Sequence, residues 1–248
     1  MTKRVALVTG GNGGIGSAIC RELAVQGNLV VAGYFPPEKE SAEAWQKEMA
    51  DQGISIELAG MDVSSYEDSE RAVAEVAEKF GPVEILVNCA GITRDGTLKK
   101  MPEGNWKAVM ATNLDSAFNT TRHVINGMLE KGWGRIINIA SVNGQRGQFG
   151  QANYSAAKAG MHGFTMAVAL ETAAKGITVN TVSPGYIATP MTEAMPEKVL
   201  EAIVNSVPMR RMGKPEEIAN TVAWLASEEN AYTTGANIPV NGGLFTSH

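Results

Sequence analysis

The sequence is poor in the residues that build metal centres and covalent cross-links. Its two cysteines, Cys20 and Cys89, form no Cys-x-x-Cys pair and allow one disulfide at most. Buried thiols are their expected state. The three histidines, His123, His162 and His248, are scattered along the chain, and no cysteine lies at ligand spacing from them, so no metal site is expected. Long apolar runs are missing as well. Near the start only Val5–Val8 is continuously apolar, too short for a signal-peptide core or a membrane span. A cytoplasmic protein with no membrane partner is therefore expected. Basic blocks are absent too: 21 Lys and Arg stand against 26 Asp and Glu, a net charge of −5, which argues against a nucleic acid or an anionic membrane as partner. Linkers, repeats and low-complexity stretches are not found either.

What is present is a regular alternation. Short apolar, β-rich runs at Arg4–Val8, Asn28–Ala32, Ile54–Ala59, Glu84–Asn88, Gly134–Ile139 and Thr178–Ser183 are separated by longer stretches of helical period. The runs are apolar at consecutive positions, as in Val5–Val8, which is the pattern of strands covered on both faces. Ile15, Ala18, Ile19 and Leu23 share one face of a first helix, and Ala72, Val73, Val76, Ala77 and Phe80 share one face of a later one. Pro215 is suited to open the last helix, before a strand at Ile238–Val240. With 248 residues, 44% of them hydrophobic, the pattern predicts one α/β domain over residues 1–248. Its expected fold is a Rossmann-like doubly wound parallel sheet of about seven strands with helices on both faces.

The first chemical signal follows the first strand directly. Thr9-Gly10-Gly11-Asn12-Gly13-Gly14-Ile15-Gly16 stands where the first helix begins. Glycine there permits a sharp turn and a close approach to a pyrophosphate, whose charge meets unpaired N–H groups at the positive end of the helix dipole. A Thr-Gly-x-x-x-Gly-x-Gly string is expected by chance only about 0.02 times in such a chain. Gly10, Asn12, Gly13, Gly14, Ile15 and Gly16 are thus candidate dinucleotide contacts; the competing reading is a glycine-rich turn with no ligand.

The second signal is Tyr154 and Lys158, four apart on a helix and hence on one face. The pair alone is weak, arising by chance in about one such chain in four; its position gives it weight. A carbonyl that receives hydride needs an acid to protonate the resulting alkoxide, and a cation beside a phenol would lower its high proton affinity. Ser141 lies just past the strand Gly134–Ile139, at the carboxyl edge where open α/β sheets bind ligands, and its hydroxyl could hold the carbonyl oxygen toward the phenol. A helix tyrosine with a solvated lysine and a loop serine is the alternative. Asn113 is the one non-apolar member of the helical stripe Trp106, Val109, Met110, Asn113, Leu114, Ala117, Phe118. It either bonds backbone in a kinked turn or holds a water that passes protons to Lys158.

These residues resemble the short-chain dehydrogenases/reductases over essentially the whole chain. The family's Asn-Asn-Ala-Gly segment appears as Asn88-Cys89-Ala90-Gly91, its catalytic tetrad as Asn113, Ser141, Tyr154 and Lys158, and its Pro-Gly after the sixth strand as Pro184-Gly185. The resemblance implies an NADPH- or NADH-dependent reductase. It extends the cofactor site to Gly33, Tyr34, Lys39, Met61, Asn88, Ala90, Gly91, Tyr154, Lys158, Pro184, Gly185 and Ile187, with Asp62 and Val63 near the adenine and Thr189 near the nicotinamide amide. Segments 91–95, 131–135, 141–145, 147–151 and 183–187 are the most specific. They imply reduction of acetoacetyl-CoA to (R)-3-hydroxybutyryl-CoA in polyhydroxybutyrate biosynthesis, with Asp95, Gln148, Phe149, Gln151 and Tyr186, beside Ser141 and Tyr154, shaping the substrate pocket. Reduction of the corresponding acyl-carrier-protein thioester, or a dinucleotide sensor without turnover, are the other readings.

Two positions depart from the family pattern. Cys89 stands where a second Asn is usual, a change the backbone contacts there should tolerate. The loop after the second strand, Gly33 to Glu40, offers neither the Arg that clamps a 2′-phosphate nor the Asp that binds a free ribose. Lys39 between Glu38 and Glu40 is a weak phosphate clamp, so NADH use is expected. The segment Thr189–Pro208 reads as a mobile lid. Small residues on the long helices near Trp106–Lys131 and Tyr154–Lys175 fit the family's pairing of these helices into a homotetramer.

Overall fold

A computed structural model describes residues 3–189, 192 and 196–246. Seven strands form one parallel sheet: β1 (Val5–Thr9), β2 (Leu29–Tyr34), β3 (Glu57–Gly60), β4 (Ile85–Asn88), β5 (Gly134–Ile139), β6 (Ile177–Pro184) and β7 (Asn237–Val240). Their spatial order is β3-β2-β1-β4-β5-β6-β7. The expected doubly wound sheet is observed. Its order reverses between β1 and β4, so a crevice opens at their carboxyl ends, where Thr9 is level with Asn88.

Burial explains why consecutive positions are apolar. All of β1, β4, β5 and β6 is buried, and alternate residues feed different cores. Ala6 and Val8 join Ile19 and Leu23 of α1 (Gly14–Val25), Met49 of α2 (Lys39–Asp51) and Val222 of the last helix on one face. Val5 and Leu7 join Val73 and Val76 of α3 (Tyr66–Phe80) together with Val124, Met128 and Ala169 on the other. Each fully buried aliphatic side chain of this kind contributes about 1.5–3 kcal/mol.

The expected single helix over Trp106–Lys131 is corrected in one respect. Helix α4 (Glu103–Met110) widens into a π-turn at Ala111–Asp115 before α5 (Ser116–Lys131) continues to Lys131. The stripe that includes Asn113 is also only partly a core face: Val109, Asn113 and Ala117 are buried, while Trp106 and Phe118 are exposed. Short α6 (Val142–Arg146), long α7 (Ala152–Thr172), α8 (Glu197–Ser206) and α9 (Pro215–Ala226) follow among the described residues, and Pro215 is the first residue of α9. No helix among the described residues is long and apolar enough to cross a membrane, and among them no His/Cys/Asp/Glu cluster could hold a metal ion.

Candidate active site

The glycine turn is shaped by backbone crowding. Gly10 has φ +63°, and a Cβ there would sit 3.0 Å from Ala90 Cα; a Cβ at Gly16 would sit 2.1 Å from the Gly10 carbonyl oxygen. Gly13 donates its N–H to that same oxygen at 3.1 Å. Helix α1 then starts with no side-chain cap and no acidic residue in its first turn. The N–H groups of Gly14, Ile15 and Gly16 find no acceptor among the described residues, while Asn12, Gly13, Gly14 and Ile15 are open to solvent in whole or part. That is the cradle a pyrophosphate fits. Enlarging Gly16 to alanine would force the turn apart at a cost of about 1–3 kcal/mol. Gly16→Ala is accordingly expected to weaken dinucleotide binding about tenfold in a fluorescence titration, and an unchanged dissociation constant would show that the turn does not carry it.

A residue the motif reading passed over joins this turn to β4. Thr9 Oγ1 accepts hydrogen bonds from the N–H groups of Cys89 (3.0 Å) and Ala90 (3.1 Å), which seats segment 88–91 beside Gly10. Asn88 itself lies below the surface. Its amide donates to Asn138 Oδ1 (2.8 Å) and accepts from Thr120 Oγ1 (2.6 Å), and Asn138 goes on to Thr165 Oγ1 (2.8 Å). The Asn88 side chain therefore serves the framework under the crevice. Asn138, inside the apolar run Ile136–Ile139, was the visible signal of that network.

The remaining dinucleotide candidates divide into rim and floor. Met61 and Val63 are buried; Met61 Sδ fills the space a Cβ on Gly33 would need, and the Val63 carbonyl accepts from Asn119 Nδ2 at 3.0 Å. The Asp62 carboxylate is engaged by Ser64, at 3.0 Å from its N–H and 2.6 Å from its hydroxyl. Tyr34 lays its ring against Gly60. Lys39 is exposed and reaches Glu43 of its own helix at 3.7 Å. Beyond β6, Gly185 closes on Asn241, Ile187 is buried, and Thr189 accepts from and donates to Thr192. Of the expected lid, residues 190, 191 and 193–195 lie outside the described residues; Thr189, Thr192, Pro196 and α8 lie within them.

The catalytic candidates converge at the carboxyl edge of β4 and β5. Ser141 caps α6, accepting from Asn143 N at 3.1 Å. Tyr154 and Lys158 share a face of α7, with Lys158 Nζ 5.7 Å from the centre of the Tyr154 ring. Lys158 is buried and donates to the Ile139 carbonyl at 2.8 Å. Asn113 resolves as a backbone partner in a kinked turn: its Nδ2 donates to the Ile92 and Val109 carbonyls, both at 2.9 Å, and its Oδ1 accepts from Ile92 N at 3.2 Å. Gly91 is where these groups meet, since a Cβ there would be 2.5 Å from Asn113 Oδ1 and 3.5 Å from Lys158 Nζ.

The electrostatics run opposite to the sequence expectation. Burial pushes the Tyr154 phenol up to about 12; the Ser141 hydroxyl acts the other way, and Cys89 and Asp95 add to the rise. Burial also pulls Lys158 down to about 8. Desolvation of each group outweighs any acidification of the phenol by the lysine, because the ammonium is turned toward the Ile139 carbonyl. In the ligand-free protein the phenol is a fully protonated acid at neutral pH. The Cys89 thiol is raised to about 11 by burial, against the pull of Lys158, and is inert.

The substrate candidates are less uniformly gathered. Gln151 Nε2 donates to Asp95 Oδ2 at 2.9 Å, and the two segments are stitched together by Gly96 N to Gly150 O at 2.8 Å. Gln148 and Phe149 stand on the same loop in solvent, Phe149 being 88% exposed. Tyr186 lines a cavity of about 330 Å³ with Ile187, Val207, Met209, Arg211 and Glu217; none of Ser141, Tyr154 or Lys158 borders it.

Comparison with known proteins accounts for this arrangement. Residues 10–245 match a family model of short-chain type described as enoyl-(acyl carrier protein) reductase. The chain belongs to the short-chain dehydrogenase/reductase family. Membership makes it an oxidoreductase with a nicotinamide dinucleotide as cofactor. An acetoacetyl-CoA reductase of Allochromatium vinosum is 61% identical over 242 residues, 98% of each chain. One of Cupriavidus necator is 53% identical over 244 residues, 98% of this chain and 99% of the other. A 3-oxoacyl-(acyl-carrier-protein) reductase of Vibrio cholerae is 46% identical over 242 residues, 98% and 97%.

Proposed function

We propose that the protein reduces the 3-keto group of acetoacetyl-CoA to (R)-3-hydroxybutyryl-CoA, the reducing step of polyhydroxybutyrate synthesis. The observation that carries the reading is the grouping of Ser141, Tyr154 and Lys158 at the edge of the sheet that also holds the glycine turn. The higher identity to acetoacetyl-CoA reductases, 61% and 53%, than to the carrier-protein reductase, 46%, favours the CoA thioester.

A bound nicotinamide supplies the hydride that adds to the keto carbon. The protein's work is to hold the oxygen and protonate it. Ser141 already accepts from Asn143 N, so its own hydrogen is free to be donated to the keto oxygen. Tyr154, protonated at neutral pH, gives its proton to the developing alkoxide. Lys158 then faces a phenolate, and its ammonium balances that charge until solvent returns a proton. Asn113 holds segment 91–92 beside the lysine, and Asp95, Gln148, Phe149, Gln151 and Tyr186 border the thioester.

NADH is accepted in this reading. The loop from Phe35 to Glu40 carries no arginine, and Lys39 is drawn to Glu43 with Glu38 and Glu40 exposed on either side, which disfavours a 2′-phosphate. Steady-state kinetics of the purified protein with acetoacetyl-CoA and each reduced cofactor test both points. A large preference for NADPH in kcat/KM would refute the loop argument, and cofactor binding without turnover of any ketoacyl thioester would favour a sensor. The same reading has a cytoplasmic homotetramer, supported by the exposed apolar side chains Phe118 on α5 and Met166 and Leu170 on α7.

A further inference from the structure

Next to the catalytic serine lies a chain of amides that no role assigned above explains. Asn143 Nδ2 donates to Gln151 Oε1 at 3.0 Å, and Gln151 Nε2 donates to Asp95 Oδ2 at 2.9 Å. The Asn143 backbone N–H is the one that Ser141 Oγ accepts. Asn143 is buried, and its Oδ1 has no partner among the described residues. An enclosed acceptor left unpaired calls for a reason.

The direction of the chain supplies it. Asp95, as a carboxylate, only accepts. Gln151 must then turn its Nε2 to Asp95 and its Oε1 inward, and Asn143 must answer with Nδ2. Its Oδ1 is thereby turned to a place where none of the described residues donates. The charge at the rim thus dictates the orientation of two amides in succession, and successive donations in one direction polarise each other. The chain also connects three segments: the Ser141 cap, the start of α7, and the loop holding Asp95, the last two already joined by a bridge between Gly96 and Gln151.

We propose that Asn143 is a positioning residue for the substrate site, acting through Gln151 on Asp95 and tying both to the serine that holds the keto oxygen. It touches no substrate in this reading, since its Oδ1 is enclosed and its Nδ2 is engaged by Gln151. Its effect is to deliver one N–H of Gln151 and the free lone pairs of Asp95 to the thioester in a single arrangement. The inference deepens the substrate reading given above and rests on it for its kinetic test.

Asn143→Leu keeps the branched shape and removes the unpaired acceptor along with the donor, so the fold should tolerate it; Asn143→Ala is the second variant. Either is expected to raise KM for acetoacetyl-CoA about tenfold, equivalent to about 1.4 kcal/mol, with kcat and the KM for NADH changed less than about threefold. In a double-mutant cycle, Asn143→Leu added to Gln151→Leu should cost nothing further. A wild-type KM in the folded variants, or additive losses in the cycle, overturns the proposal. Hydrogen exchange separates its failure from that of the substrate reading. If the wild-type protein does not reduce acetoacetyl-CoA, the substrate falls, yet faster exchange at the Gly96 amide in Asn143→Leu still upholds the positioning role. Unchanged exchange there, with no shift in KM, ends it.

Discussion

A Tyr154→Phe variant is expected to lose about 10²–10⁴-fold in kcat on acetoacetyl-CoA, the range a positioned general acid contributes, while binding NADH and melting much as the wild type does. The reason is the direction of the Tyr154 shift. Burial holds the phenol at about 12, so at pH 7 nearly every molecule carries the proton that the alkoxide needs. Phenylalanine keeps the ring packed beside Lys158 and removes the hydroxyl that carries that proton. Single-turnover rates with saturating NADH measure the loss without interference from product release. A kcat within tenfold of wild type would mean that another group or a water protonates the product, and the assignment of Tyr154 would be lost.

Lys158→Met should separate activity from stability. It removes the cation that balances the phenolate, so kcat falls by a similar factor of about 10²–10⁴. The folded protein, however, gains. Lys158 is 3% exposed and its pKa has dropped from 10.5 to about 8, mainly by desolvation; a gap of that size corresponds to roughly 3 kcal/mol of cost at neutral pH. The hydrogen bond to Ile139 offsets part of it. A net gain of about 1–2 kcal/mol raises Tm by about 3–6 °C in a chain of this length.

The sign of the pH dependence follows from proton counts. Between pH 8 and 10.5 the unfolded lysine holds its proton while the folded one has released it, so wild-type stability from this group rises with pH across that window and is level below it. The advantage of methionine must therefore shrink from pH 8 toward pH 10.5. Tyr154 works in the opposite sense above pH 10, where the unfolded phenol ionises and the folded one does not, but both proteins share it and it cancels in the difference. A Tm below wild type at pH 7, or a difference that stays constant up to pH 10, would contradict the desolvation account.

The sheet was legible because its cause is local. Strands buried on both faces must be apolar at consecutive positions, and Val5–Val8, Glu84–Asn88 and Gly134–Ile139 stand out for that reason, to within a residue or two. Strand β3 was read three residues early, because Ile54 and Ile56 pack against the core before the ladder begins at Glu57. The glycine turn and the i,i+4 pair were legible for the same reason: each meets its need within a few residues of chain. Asn113 could be singled out, with a backbone bond in a kinked turn as one of two readings, but the choice between them needed Ile92, a segment away, and the π-turn that the asparagine itself occupies.

From the order of residues alone come the seven-stranded parallel sheet, the crevice at its carboxyl edge, the glycine cradle, and the group Ser141, Tyr154 and Lys158 as the place where a carbonyl would be reduced. Periodicity and spacing are properties of a few adjacent residues, so they survive without coordinates. Only the tertiary structure decided that the phenol is a stronger holder of its proton, that the lysine is turned to Ile139, and that Asn143 is linked to Asp95 through Gln151. Each of those depends on how much water is excluded and which distant group is brought within 4 Å, and both are set by the packing of segments that the chain keeps far apart.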